Sequence, residues 1–117
     1  MKTIKQIAAQ GDVLFRRVPS VPPNATAEKR DGRLILAHSE TGHHHAIDDD
    51  GVVRYEVGDP LVCYLAMTGP HADVVHHRTW DTHETIRLLG GSPETPAIWE
   101  VRRQREHTPE GWRRVED

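Results

Sequence analysis

The chain has 117 residues, of which 36% are hydrophobic, 5% aromatic and 28% charged, with a formal net charge of −3 when its nine histidines are neutral. That length gives one domain, 1–117, with a single modest core of Val, Leu, Ile and Ala in which Trp80, Trp99 and Trp112 are the large anchors. The mildly acidic balance argues against a nucleic-acid or acidic-membrane surface, and no apolar run approaches the roughly 18 residues of a membrane span.

Residues 1–10 read as a short helical turn, with Ile4, Ile7 and Ala8 on one face. Gly11-Asp12 opens a strand over Val13–Val18, closed by Pro19, and residues 19–32, with Pro19, Pro22 and Pro23, read as an extended surface loop. From Arg33 the rhythm is that of strands. Arg33–Ser39 is bounded by the turn Glu40-Thr-Gly42, and His43–Asp48 leads into Asp48-Asp-Asp-Gly51, a hairpin signal because Asp and Gly tolerate positive φ. Val52–Val57 alternates and is expected to pair back on the preceding strand. After Gly58-Asp-Pro60, the nearly continuous apolar run Leu61–Met67 reads as a strand buried on both faces. Its Cys63 is the single cysteine, so no intramolecular disulfide can form. With no leader pattern at the N-terminus, the expectation is a soluble protein of a reducing, cytoplasmic compartment. Further strands are expected at His71–Arg78, Thr85–Leu89 and Ala97–Glu106, with one more short strand in the tail beyond Thr108. Short strands separated by Gly/Pro turns indicate an all-β, antiparallel barrel or sandwich, cupin-like or related.

The chemistry gathers in the histidines. On a strand, side chains alternate between faces, so in Thr41-Gly-His-His-His45 the rings of His43 and His45 project together and His44 points away. Two imidazoles at that spacing can hold one divalent metal with a third ligand from elsewhere. His83 is the preferred third ligand, and Glu84 beside it is a candidate fourth ligand or general base acting on metal-bound water. His38, His71, His76, His77 and His107 are further candidates, with His71 expected at the surface after Gly69-Pro70. Imidazole ligands favour zinc and also suit iron, nickel or copper. Cys63 reads as an inert buried thiol, Gly90-Gly91 lacks phosphate-loop spacing, and Asp48-Asp-Asp50, which could hold a hard cation, reads as a solvated hairpin tip.

Three segments resemble a group of small uncharacterised bacterial and phage-associated proteins. They are the start Gln10-Gly-Asp-Val-Leu14, the TGHxH segment Thr41–His45, and Glu100-Val-Arg-Arg-Gln-Arg-Glu-His-Thr-Pro-Glu-Gly111, which is similar to a VxRQREYTPEG tail with His107 at the tyrosine. The His43/His45 pair is also locally similar to cupins, which bind metal within a small β-barrel. The cupin pattern expects a Glu soon after HxH, where this chain has Ala46-Ile-Asp-Asp-Asp50.

The leading expectation is a non-catalytic metal-binding or metal-carrier protein holding one transition metal through His43, His45 and His83. Two alternatives stand beside it. One is a cupin-like metalloenzyme acting on a small molecule with Glu84 as base. The other is a phage or mobile-element adaptor that docks a protein partner without metal. A homodimer is compatible with each.

Overall fold

The computed structural model describes residues 1–30, 32–38, 44–77, 84–103, 105–108 and 111–114. The described residues contain thirteen strands and no helix: β1 (Lys2–Ile4), β2 (Ile7–Gln10), β3 (Val13–Val18), β4 (Thr26–Ala27), β5 (Leu34–His38), β6 (His44–Ile47), β7 (Val52–Glu56), β8 (Val62–Met67), β9 (His71–His77), β10 (Ile86–Leu89), β11 (Ala97–Arg103), β12 (Arg105–Thr108) and β13 (Gly111–Arg114). One sheet has the order β1-β10-β9-β6-β5, and a second has β2-β3-β11-β8-β7-β4. Within them only β1 and β10 pair in parallel. Strands β12 and β13 form a separate two-stranded ribbon. Neither large sheet closes on itself, so the all-β expectation resolves to a sandwich and not to a barrel.

The core is the apolar layer between the two sheets. Leu34, Ile47, Ala72, Val74, Ile86 and Leu88 contribute from one side, and Val13, Phe15, Leu65, Met67, Trp99 and Val101 from the other. Trp99 is fully buried, its indole N–H donates to the Leu89 carbonyl at 3.1 Å, and Arg17 lies over its ring at 5.8 Å. The run 61–67 alternates instead of being buried on both faces. Cys63, Leu65 and Met67 point inward, while the hydroxyl of Tyr64 donates to Glu100 at 3.0 Å on the outer side. Outer positions of a sandwich are covered only by neighbouring side chains, so an apolar composition does not by itself bury both faces.

Two further expectations change. Residues 1–10 are extended, with β1 on the edge of one sheet and β2 on the edge of the other. Ten residues carry too little helical pattern to outweigh two open ladder edges that satisfy their backbone groups. The turn at Asp48–Gly51 does not make a hairpin: β6 pairs with β5 and β9, whereas β7 pairs with β4 and β8. It is an arch that carries the chain from one sheet to the other. The β8–β9 and β10–β11 connections cross in the same way. These three arches are bonded to one another, through Thr68 N–H to Gly51 O at 2.9 Å, Gly90 N–H to Pro70 O at 2.8 Å and Gly91 N–H to Gly69 O at 3.0 Å. Gly51 sits at φ 74°, which a side chain resists. Gly90 is required for closeness, since a Cβ there would lie 1.9 Å from the Gly69 oxygen. In place of a phosphate loop, Gly90-Gly91 is a backbone-to-backbone contact.

Candidate metal centre

Strand β9 carries two different sets of polar side chains, on opposite faces and at opposite ends. Ala72, Val74 and His76 point into the core, and His71 and Asp73 occupy the alternate, half-buried positions. His71 is at the arch end of the strand, and His76 is roughly 16 Å further along at ~3.3 Å per residue.

At the arch end, Asp49 joins His71 and Asp73. One ligand atom from each of these three residues lies within 4.8 Å of the others. Asp49 is held from two sides. Arg30, from the segment between β4 and β5, donates to the carbonyls of Ile47, Asp48 and Asp49. The Asp49 carboxylate in turn accepts the Asp73 N–H at 2.7 Å. Asp73 is gripped by Arg87, its cross-strand neighbour on β10, through Nε at 2.8 Å and Nη2 at 3.0 Å. That fork of hydrogen bonds holds the Asp73 carboxyl below its ordinary range, with His71 adding to the effect. The cluster thus sets two carboxyl groups and one guanidinium beside the His71 ring. Each carboxylate oxygen has a second lone pair, so Arg87 orients Asp73 without exhausting it as a ligand. One imidazole nitrogen and carboxylate oxygens make a donor set for a divalent ion of intermediate hardness.

At the other end, His45 and His76 face each other across β6 and β9, both buried, with ring centroids 4.0 Å apart and planes 8° from parallel. Gln10, at the end of β2 on the opposite sheet, reaches across the core. Its amide nitrogen donates to Val74 O at 2.9 Å and Glu84 O at 3.0 Å, and its oxygen lies 2.8 Å from Nδ1 of His45. Asp12, in the β2–β3 turn, places a carboxylate oxygen 3.7 Å from Nε2 of His45, and its other oxygen accepts from Arg103 at 3.0 Å.

Of the ligands expected from sequence, His45 is therefore an interior residue, while His43 and His83 lie outside the described residues. Glu84 is exposed and pairs with the amino group of Met1 at 3.1 Å. It precedes β10 at the end remote from His71, whose register partner is Leu89. His71, expected as an ordinary surface residue, is half-buried in the Asp49–Asp73 cluster. The Asp48–Asp50 tip divides: Asp48 pairs with Arg33 at 2.7 Å, Asp50 is exposed, and Asp49 turns toward β9. His38, His44, His77 and His107 are placed as strand positions only. Cys63 is a buried free thiol, and burial, against the opposing charge of Arg54, pushes it up to about 11. Sequence reasoning passed over His71-Ala-Asp73, although it has the same two-residue spacing as His43/His45. Asp49 lay in the acidic triplet read as a hairpin tip, and Gln10 and Asp12 in the Gln10–Leu14 segment, but nothing in either segment marked what these side chains would meet.

The family model of a domain of unknown function, DUF8820, matches residues 9–104. This chain belongs to the DUF8820 family. The matched span includes both polar clusters of the DUF8820 chain and ends before the β12–β13 ribbon. No curated protein and no solved structure matches it.

Proposed function

We propose that this DUF8820 protein binds one divalent transition-metal ion, zinc foremost, as a non-catalytic metal-binding or carrier protein, through Asp49, His71 and Asp73. The observation that carries this reading is the convergence of one imidazole and two carboxylates within 4.8 Å. They are supported by an arch that Arg30 clamps and a carboxylate that Arg87 orients. Three protein ligands leave at least one coordination position for water or for a recipient's ligand, as delivery of an ion requires. A carrier is favoured over the cupin-like enzyme by the position of Glu84, which precedes β10 at the end remote from His71 and so lies away from the three ligands. The groove of about 340 Å³ lined by Glu28, Leu36, Arg54, Glu56 and Arg103 includes none of the three ligands. The set His43, His45 and His83 is the competing ligand proposal, and the resemblance of the Thr41–His45 segment to TGHxH proteins belongs with it.

Calorimetric titration of the tag-free, metal-stripped protein with Zn²⁺ tests the reading. His71→Ala and Asp73→Asn should each lose the binding step, and His43→Ala with His45→Ala should keep it. Loss in the double variant with retention in His71→Ala would transfer the ion to the competing set. No binding by wild type would leave the adaptor reading.

A further inference from the structure

We propose, on the reading that Asp49, His71 and Asp73 hold a divalent ion, that Arg87 sets how tightly they hold it, its charge opposing the ion and keeping it exchangeable. Arg87 is the cross-strand partner of Asp73 on β10. Its Nε donates to one Asp73 oxygen at 2.8 Å and its Nη2 to the other at 3.0 Å, so the guanidinium grips a carboxylate of the ligand set. These hydrogen bonds, and beyond them the charges of Asp73 and Asp49, hold the guanidinium more basic than an ordinary arginine. One permanent positive charge therefore stands within reach of both carboxylates.

The two arginines of the cluster act differently. Arg30 donates to main-chain carbonyls and braces the arch. Arg87 places its charge on a ligand itself. Aiming Asp73 does not require that charge, because a neutral donor can also hydrogen-bond a carboxylate. Nor does ionising it, since at neutral pH a carboxylate is charged with or without a cation beside it. What the guanidinium adds is repulsion of an incoming dication. Like charges a few ångström apart at a protein surface repel strongly enough to weaken binding about tenfold or more, and the ion carries two of them. The Arg87 side chain is 33% exposed, so water moderates the repulsion and the lower end of that range applies. Loss of the fork that orients Asp73 works in the opposite direction and is the smaller effect. Strand β9 already fixes the side on which Asp73 projects, and the hydrogen bond from its N–H to the Asp49 carboxylate ties the two ligand residues together.

The test separates charge from geometry, with Zn²⁺ as the probe and the whole protein stripped of metal. Arg87→Gln keeps a hydrogen-bond donor and removes the charge, whereas Arg87→Lys keeps the charge and removes the fork. Calorimetric titration should show Arg87→Gln binding Zn²⁺ about tenfold more tightly than wild type, and Arg87→Lys within about threefold of it. Stopped-flow transfer of the ion to a chromophoric chelator should be correspondingly slower from Arg87→Gln. Arg87→Met should match Arg87→Gln, so either neutral variant decides the matter if the other fails to fold. Equal or weaker binding by the neutral variants would overturn the proposal and leave Arg87 as a residue that only aims Asp73. Equal tightening in Arg87→Lys would overturn it as well, because the fork and not the charge would then be what the ion competes with. Absence of binding by wild type would remove the metal reading itself, and Arg87's part in it.

Discussion

Gln10→Leu tests the sandwich at its most demanding point. Gln10 is 3% exposed and is the side chain through which β2, on one sheet, bonds β9, β6 and the segment before β10 on the other. Leucine has a similar volume but neither donates nor accepts. The substitution would strand Val74 O and the Nδ1 proton of His45 in the interior, whereas Glu84 O lies at the half-open end and can turn to water. A buried group left without its partner costs about 1–3 kcal/mol, and two of them less the apolar gain of leucine come to about 2–4 kcal/mol. Against a total stability of about 5–15 kcal/mol that is a large fraction, and for a chain of this length it lowers the melting temperature by roughly 10 °C. Urea unfolding at neutral pH should show a lower midpoint with an unchanged slope. A loss below about 0.5 kcal/mol, within the range of ordinary surface substitutions, would refute the assignment of Gln10 as a cross-sheet clamp.

Two further outcomes follow from the arches and the outer cluster. Gly90→Ala puts a Cβ 1.9 Å from Gly69 O and 2.9 Å from the Pro70 carbonyl carbon, atoms tied down by the Gly90–Pro70 hydrogen bond. Overpacking of that kind costs about 1–3 kcal/mol, and an unchanged thermal melt would show that the arches separate easily. Asp73, held below its ordinary range by Arg87, stabilises the fold fully above its unfolded value of about 3.9 and loses that contribution as pH falls through its lower folded value. Wild type should therefore exceed Asp73→Asn in stability at neutral pH, and the difference should shrink in urea titrations carried below about pH 4. A difference independent of pH would rule out the Asp73–Arg87 pair as its source.

Much of the strand content was legible because alternation is a local property of extended backbone. Val13–Val18 and, to within a residue, Val52–Val57 appear where their apolar rhythm placed them, while the strand expected over Ala97–Glu106 is β11 as far as Arg103, with Arg105–Thr108 in the separate ribbon. Cys63 is buried, as its apolar neighbours implied, and that burial raises its thiol against the opposing charge of Arg54. The destination of each strand was not legible. Asp48–Gly51 marks a reversal, but turn chemistry does not say whether the next strand joins the same sheet or crosses to the other. That choice depends on which apolar faces can be buried together, a property of the whole chain.

The ligand sets divide along the same line. Period-2 spacing made His43 and His45 the expected pair, and residue types made a metal the expected ligand; the same spacing in His71-Ala-Asp73 went unread. Only the fold brought Asp49 to Asp73 across an arch, turned His45 into the core against His76, and placed Gln10 and Asp12 around it. Side-chain direction along one strand follows from backbone sterics within a few residues. The partners of a side chain are set by burial between sheets, which joins residues dozens of positions apart.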